Sequence, residues 1–414
     1  MQYFTICAME DTDLSSDSDL DALINCTLLY AATKLKRKKR IWKSSYLRKR
    51  ETHGEFRLTS EFSDDQFTNY FRMNRMQFEE IHNTIQNKIY HEGSRAHKEI
   101  TTKEKLAVFL RYLASGNSYK SIGYSYRLGD RTVSKIVNEV SAAIWECLQQ
   151  TFLPDPTEEL WKQIAKEFEQ RWQFPHCVGS IDGKHIVVKK PAKSGSSYFN
   201  YKHTCSIVLM ATVDANYKFI TVDIGSMGRF SDGNIFSSSI LYKKIQNKTL
   251  KLPEPDMISG GEKELPYVFV GDEAFPLLEN LMRPYPKRKV TANYENKVFN
   301  YRLSRARQTV ECAFGILAGR FHVFRKPFEI KLASVDNVVK AACVLHNYLR
   351  MTSTATNVED IADEELLSDQ LTSIRYNNSR NSRNAFLVRE NYTHYFNTTG
   401  AVQWQRDSIL RGKY

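Results

Sequence analysis

Disulfide chemistry has no footing in this chain. Its seven cysteines, Cys7, Cys26, Cys147, Cys177, Cys205, Cys312 and Cys343, are odd in number and include no C-x-x-C pair. That excludes a disulfide framework and a zinc knuckle, and it suits a reducing compartment. Long apolar runs are lacking too. The longest early one, residues 22–32, is interrupted by Asn25 and Thr27 and falls well short of the ~20 residues of a spanning helix. Basic residues do not precede it; Glu10, Asp11, Asp13, Asp17, Asp19 and Asp21 do, so no secretory leader is expected. Internal repeats are also missing. The expectation is a soluble intracellular protein with no membrane partner.

At 414 residues and 42% hydrophobic content, the chain can build ordinary cores in more than one domain. A net charge of +12 and a pI near 9.2 set a prior for an anionic partner. Residues 1–50 are expected to form a disordered arm, acidic and then basic. Lys34, Lys36, Arg37, Lys38, Lys39, Arg40 and Lys43, then Arg48, Lys49 and Arg50, read either as a nuclear-localisation or phosphate-binding arm or as a solvated linker. Trp42 and Tyr46 within the run could stack on bases or pin the arm to the next domain.

Residues 51–150 are expected to be a separate helical domain. Tyr70, Phe71, Met73, Met76, Phe78, Ile81 and Ile85 recur at helical spacing. A capping-box spacing at Thr101 and Glu104 opens another helix that stops at Gly116. A short helix over 119–126 follows, and Asp130 can cap a third with Val133, Ile136, Val137 and Val140 inward. Helix, short helix, Gly-containing turn and helix is a helix-turn-helix order, in which Arg131 or Lys135 could reach guanine or phosphate and Asn138 adenine. A plain three-helix bundle fits the same pattern.

From Cys177 the period changes to that of strands, and residues 151–350 are expected to form a second domain. Residues 177–188 read as one strand or as a pair bent at Asp182-Gly183, an ordinary hairpin signal. Residues 205–213 form a buried central strand, Asp214 to Asn216 a turn, and residues 217–224 an alternating strand. A helical stretch after Ser231-Asp232 precedes a buried strand over 267–272 ending in Asp272. A helix over 301–317 carries Arg307 and Glu311 one turn apart. Another follows over 335–349, and residues 351–414 read as linker and tail, with 386–404 able to dock back as a helix.

Three antiparallel strands, a helix, a parallel strand and a helix make an α/β fold, a ribonuclease-H-like mixed sheet flanked by helices and preceded by the all-α helix-turn-helix-like region. Its carboxylates fall at Asp182 on the first strand, Asp272 at the end of the fourth and Glu311 on the late helix. Gathering carboxylates costs roughly 4 kcal/mol per close pair at an effective dielectric near 20, so a native cluster calls for a cation. Oxygen-only ligands select Mg²⁺ or Mn²⁺, and two such ions can drive an in-line phosphodiester displacement. Spacing does not choose a fourth carboxylate among Asp214, Asp223 and Asp232.

From about residue 50 to 404 the chain resembles a transposase-derived nuclease of the PIF/Harbinger superfamily, with a DDE endonuclease core. The motifs are Gly179-Ser-Ile-Asp182-Gly-Lys-His185-Ile, Asn200-Tyr-Lys202, Gly225-Ser-Met-Gly-Arg-Phe-Ser-Asp232-Gly-Asn-Ile-Phe236, Val270-Gly-Asp272-Glu-Ala-Phe275-Pro and Asn300 to Gly315, which includes Arg307 and Glu311. The resemblance implies a catalytic triad of Asp182, Asp272 and Glu311, with Asp232 as a further metal ligand. It also implies DNA cleavage at inverted repeats with strand transfer, alongside a Myb-like DNA-binding partner. No triad position is replaced, while Cys312 stands where such proteins more often have Asn.

His185 is a candidate to orient a carboxylate or phosphate, against a buried hydrogen-bonded histidine. Arg307 is a candidate phosphate contact, against a helix ion pair. The expected function is a DNA endonuclease or transposase using Mg²⁺ or Mn²⁺. The nucleus is its expected location, the cytoplasm a second one, and a homo-oligomer is among the expected assemblies. The alternatives are a domesticated DNA-binding or scaffold protein that keeps the fold, and a ribonuclease.

Overall fold

The computed structural model describes residues 17–35, 45–92, 99–200, 202–230, 232–353 and 383–411, without side chains at 17–20, 31–35 and 232. The chain falls into two compact units, residues 1–51 and 52–414. In the first, α1 (Asp17–Leu35) is a helix within the arm expected to be disordered, and Leu23, Leu28 and Leu29 are exposed. The basic residues 36–43, with Trp42, lie outside the described residues. Two single turns follow, α2 (Ser45–Arg48) and α3 (Arg50–His53).

In the second unit, α4 (Asp64–Phe71) and α5 (Arg75–Ile89) divide a stretch whose periodicity reads as one stripe. Arg72 is left-handed (φ 64) and closes α4 on the Thr68 carbonyl, while Asn74 and Gln77 cap each other reciprocally to open α5. Met76, inward by spacing, is 70% exposed because the restart rotates it outward. Next come α6 (Thr102–Ser115), capped by Thr101 on the Glu104 N–H, then α7 (Tyr119–Tyr126) and α8 (Asp130–Phe152). Gly129 holds the cap position of α8; Asp130 sits inside its first turn and accepts the Arg131 N–H. Thr157 caps α9 (Glu158–Trp172).

The sheet follows the expected order. β1 (Cys177–Val187), β2 (Ser206–Val213) and β3 (Phe219–Met227) are antiparallel neighbours. After α10 (Asp232–Ser238) and α11 (Ile240–Gln246), a small pair of β4 (Asp256–Met257) and β5 (Glu264–Leu265) precedes β6 (Val268–Val270) and β7 (Leu281–Met282). β6 runs parallel to β1 and β7 parallel to β6, giving the order β3-β2-β1-β6-β7. The helices α12 (Lys287–Ala292), α13 (Tyr294–Arg320), α14 (Leu332–Thr352), α15 (Arg383–Asn397) and α16 (Gln405–Leu410) complete the chain. A five-stranded mixed sheet flanked by helices, with a helical region before it, is the ribonuclease-H-like arrangement.

Asp182-Gly183 is not a turn. Asp182 pairs with Ala211 and Gly183 with Met210 in the middle of a continuous β1. Pairing with β2 on one edge and β6 on the other overrides the local hairpin preference.

Two cores lie on the two faces of the sheet. On one, Ile186, Leu209 and Ala211 pack with Phe314 and Leu317 of α13, Val338 and Leu345 of α14, and Val137 and Ile144 of α8. On the other, Ile181, Met210 and Phe269 pack with Trp161 and Phe168 of α9 and with Tyr392 and Phe396 of α15. Trp161 meets Phe269 edge-on at 5.5 Å; each fully buried side chain of this size contributes about 1.5–3 kcal/mol. The first core is continuous across residue 150, so the helical region and the sheet fold around one interior. Asn347 stitches the junction, donating to the Phe152 and Phe219 carbonyls and accepting the Phe219 N–H. Among the described residues no helix is long and apolar enough to cross a membrane.

Candidate functional site

The parallel register of β1 and β6 builds the site. Ser180 pairs with Val270, so Asp182, two residues on, lies beside the backbone that carries Asp272 just past the end of β6. Neighbouring strands stand about 4.8 Å apart, which makes these carboxylates strand-to-strand neighbours. Asp182 is buried to 2% exposure. Asp272 is held by the Ala274 N–H at 2.9 Å. Burial pushes its carboxyl above the ordinary range, against the pull of that N–H and of Arg307.

Glu311 arrives from α13, which crosses the same sheet face. The helix is fastened there by Ser180, whose hydroxyl donates to the Arg307 carbonyl at 3.1 Å. The Arg307 guanidinium lies 2.6 Å from Glu311. Burial works against the charge of Arg307, but Glu311, Asp182 and Asp272, in that order, outweigh it and raise its basicity. The triad carboxylates therefore share one counter-charge.

Among the described residues no three His, Cys, Asp or Glu side chains are gathered closely enough to hold a metal ion. The oxygen-only donor set still fits a hard divalent cation, with Asp182 and Asp272 as its strand-borne half. Glu311 can join them only by leaving Arg307. Asp232 begins α10, and its side chain is outside those described. The two other carboxylates that spacing left open are accounted for. Asp214 accepts the Asn216 and Lys218 N–H groups and pairs with Lys218 at 3.3 Å. Asp223 pairs with Met210, whose side chain joins the opposite core.

His185 does not join the carboxylates. Three residues from Asp182 on an unbroken strand, it faces the other side of the sheet. There its Nδ1 lies 2.9 Å from the Ser206 hydroxyl, which also accepts from Asn200 Nδ2. Burial, Lys202 and Lys184 depress His185 to about 4. Asn200 Oδ1 accepts the Lys202 and Thr204 N–H groups, and a Cβ at Gly228 would lie 2.1 Å from the Ser206 hydroxyl. These motif residues thus form a structural knot behind the strand. Cys312 is half-buried, and burial followed by Glu311 pushes its thiol up, away from thiolate chemistry.

In the helical region, α6, α7 and α8 keep the helix-turn-helix order, with left-handed Arg127 (φ 52) in the turn. A Cβ at Gly123 would lie 2.7 Å from the Leu128 carbonyl, so the turn needs glycine there. Arg131 and Lys135 are exposed on the first turns of α8. Asn138 is half-buried and donates its amide to the Ser134 carbonyl of its own helix. Sequence reasoning overlooked Ser180, whose signal was its place two residues before Asp182 on the same strand face.

The family described as DDE superfamily endonuclease matches residues 181–347, and one described as a domain of unknown function matches residues 58–146. The chain is 27% identical over 259 residues to the Arabidopsis thaliana protein antagonist of like heterochromatin protein 1, covering 60% of this chain and 63% of that one. It is 28% identical over 276 residues to the Arabidopsis thaliana protein ALP1-like, covering 66% and 65%. The chain thus spans under two thirds of the length of these relatives. No solved structure gives a significant match.

Proposed function

We propose that this chain, whose residues 181–347 match the DDE superfamily endonuclease family, is a divalent-metal-dependent DNA endonuclease of the Harbinger transposase-derived kind, able to transfer strands at transposon ends. The observation that carries the reading is the convergence of Asp182, Asp272 and Glu311 on Arg307. Three carboxylates from two strands and a helix around one guanidinium supply the kind of oxygen donors that a hydrolytic divalent ion needs, which supports the reading.

Mg²⁺ or Mn²⁺, as a pair of ions, would activate the attacking water and steady the leaving oxygen. Asp182 and Asp272 would hold it from rigid backbone, with Asp232 as a further ligand. Glu311 would turn from Arg307 to complete the set, leaving the guanidinium to face the phosphate. Arg131 and Lys135 on α8 would grip the DNA backbone or a guanine. Asn138 would reach adenine only by giving up its bond to Ser134. In this reading the protein works in the nucleus, with the cytoplasm as a second location, as a homo-oligomer with a Myb-like protein as partner.

Purified chain with Mg²⁺ or Mn²⁺ should nick inverted-repeat DNA. Asp182→Asn and Glu311→Gln should each lose several kcal/mol of transition-state stabilisation, about a thousandfold in rate. Uncut DNA, or variants that cut like wild type, would overturn the reading.

The ion pair that engages Glu311 favours a second reading, a domesticated DNA-binding or scaffold protein that keeps the fold. A relative named as antagonist of like heterochromatin protein 1 fits such a role. A triad mutant that restores wild-type function in cells would select it.

A further inference from the structure

A group of cations sits where the helical region meets the end of α13. Arg72 closes α4 in a left-handed turn, and its Nε is buried with no hydrogen-bond partner. Arg111 of α6 lies over the Tyr70 ring at 4.0 Å, its guanidinium 3.5 Å from the Tyr70 carbonyl. From the other side comes the 3-10 turn His322–Arg325. Its backbone meets the end of α6 so closely that a Cβ at Gly116 would lie 2.9 Å from the His322 carbonyl. Lys326 donates to the Ser115 carbonyl at 3.1 Å, and Arg325 to the Ala318 carbonyl at 3.1 Å.

The charges here repel one another. Arg72 loses basicity to burial and then to Arg111 and Arg325. His322 loses it to burial, then to Arg325, Arg72 and Lys326, with only the Gly319 backbone opposing. Glu55 acts on the Tyr70 and Tyr126 hydroxyls. Among the described residues none of the four long cations forms an ion pair. A fold that gathers four uncompensated cations at a junction gives up stability unless an anion comes to them.

We propose that Arg72, Arg111, Arg325 and Lys326 form a phosphate-binding saddle that takes the phosphodiester backbone of a DNA strand. The cations span three elements and grade from half-buried Arg72 and Arg111 to exposed Arg325 and Lys326. That is an open track for a polyanion, whereas a free phosphate ion would be closed in on several sides. The saddle deepens the DNA reading and rests on it, and it uses residues other than Arg131 and Lys135 of α8.

The test is fluorescence anisotropy of the full chain on a labelled random-sequence duplex across a salt series. Arg72→Gln/Arg325→Gln should bind about tenfold more weakly near 0.1 M salt, with a log-log salt slope shallower by about two. Its melting temperature at low salt should equal or exceed that of wild type, because repulsion is relieved; a merely structural role would lower it. Arg72→Lys should restore the slope. Lys326→Gln, an exposed change, carries the same test, at one unit of slope, if the double variant does not fold.

Unchanged affinity and slope in folded variants would overturn the saddle alone. Inorganic phosphate that raises the wild-type melting temperature while DNA binding is unchanged in the variants would mean a free-anion site, which also overturns it. A wild-type chain that binds no DNA would sink the endonuclease reading together with the saddle.

Discussion

Arg307 and Glu311, one turn apart on α13 and 2.6 Å from contact to contact, form the ion pair on which the other two acidic residues of the site depend. The pair is partly exposed, so its own worth is modest. Its guanidinium also acts on Asp182 and Asp272, whose charges it offsets. Arg307→Gln should destabilise the chain in EDTA by about 1–2 kcal/mol. Mn²⁺ should then raise its melting temperature by more than it raises wild type, because a competing cation has been removed. Differential scanning fluorimetry with and without the ion reads both. An equal Mn²⁺ response would separate Arg307 from the ligand set.

Ionising Asp272 costs the fold stability. Its folded-state affinity for a proton exceeds that of the unfolded chain because it is buried. Stability from this group is thus fully present below the ordinary Asp value of 3.8 and is lost as pH rises through the raised folded value. Asp272→Asn keeps the acceptor for the Ala274 N–H and removes the charge. In EDTA it should melt higher than wild type at neutral pH, by about 1 kcal/mol, while cleaving nothing. The advantage should vanish in acid.

His185 has the opposite sign. Depressed to about 4 by burial and two lysines, it adds stability above its unfolded value near 6.5, and that stability drains away as pH falls from there towards 4. Urea midpoints at neutral pH and near pH 4.5 should show wild type losing about 2–3 kcal/mol more than His185→Gln across that window. Equal losses would mean that folding does not depress the histidine. Cleavage by the variant should persist, since the ring faces away from Asp182.

Arg131 is exposed on the first turn of α8. Arg131→Ala should weaken DNA binding and flatten its salt slope by about one unit. Binding that does not change would leave α6, α7 and α8 as a structural bundle.

The sheet order and the late helix were legible because buried strands and a 3.6-residue period survive any context. Asp182-Gly183 left a bend open beside a single strand because a hairpin signal is local, whereas strand pairing from residues 206–213 and 268–270 decides its geometry. Met76 misled for a related reason: a left-handed residue at Arg72 resets the helical phase, and periodicity alone does not register the reset. The opposite facing of His185 and Asp182 follows from alternation once the strand is known to be unbroken. The docked α15 was readable from Tyr392, Tyr395 and Phe396, whose aromatic bulk needs a partner. The common interior of the helical region and the sheet was not, because α8 and α14 are far apart in sequence and each reads as amphipathic on its own.

That common interior bears on how such a protein can diversify. Because α8 packs along α14 and Asn347 ties the end of α8 to β3, the part that would read DNA and the part that would cut it are inherited as one block. In that reading new target preferences would arise by changing side chains on the outer face of α8, as exchanging the helical region for another would leave the face of α14 bare. For an engineer the same joint is an opportunity: a change in how α8 is gripped is transmitted through α14 to the sheet, with no linker to absorb it.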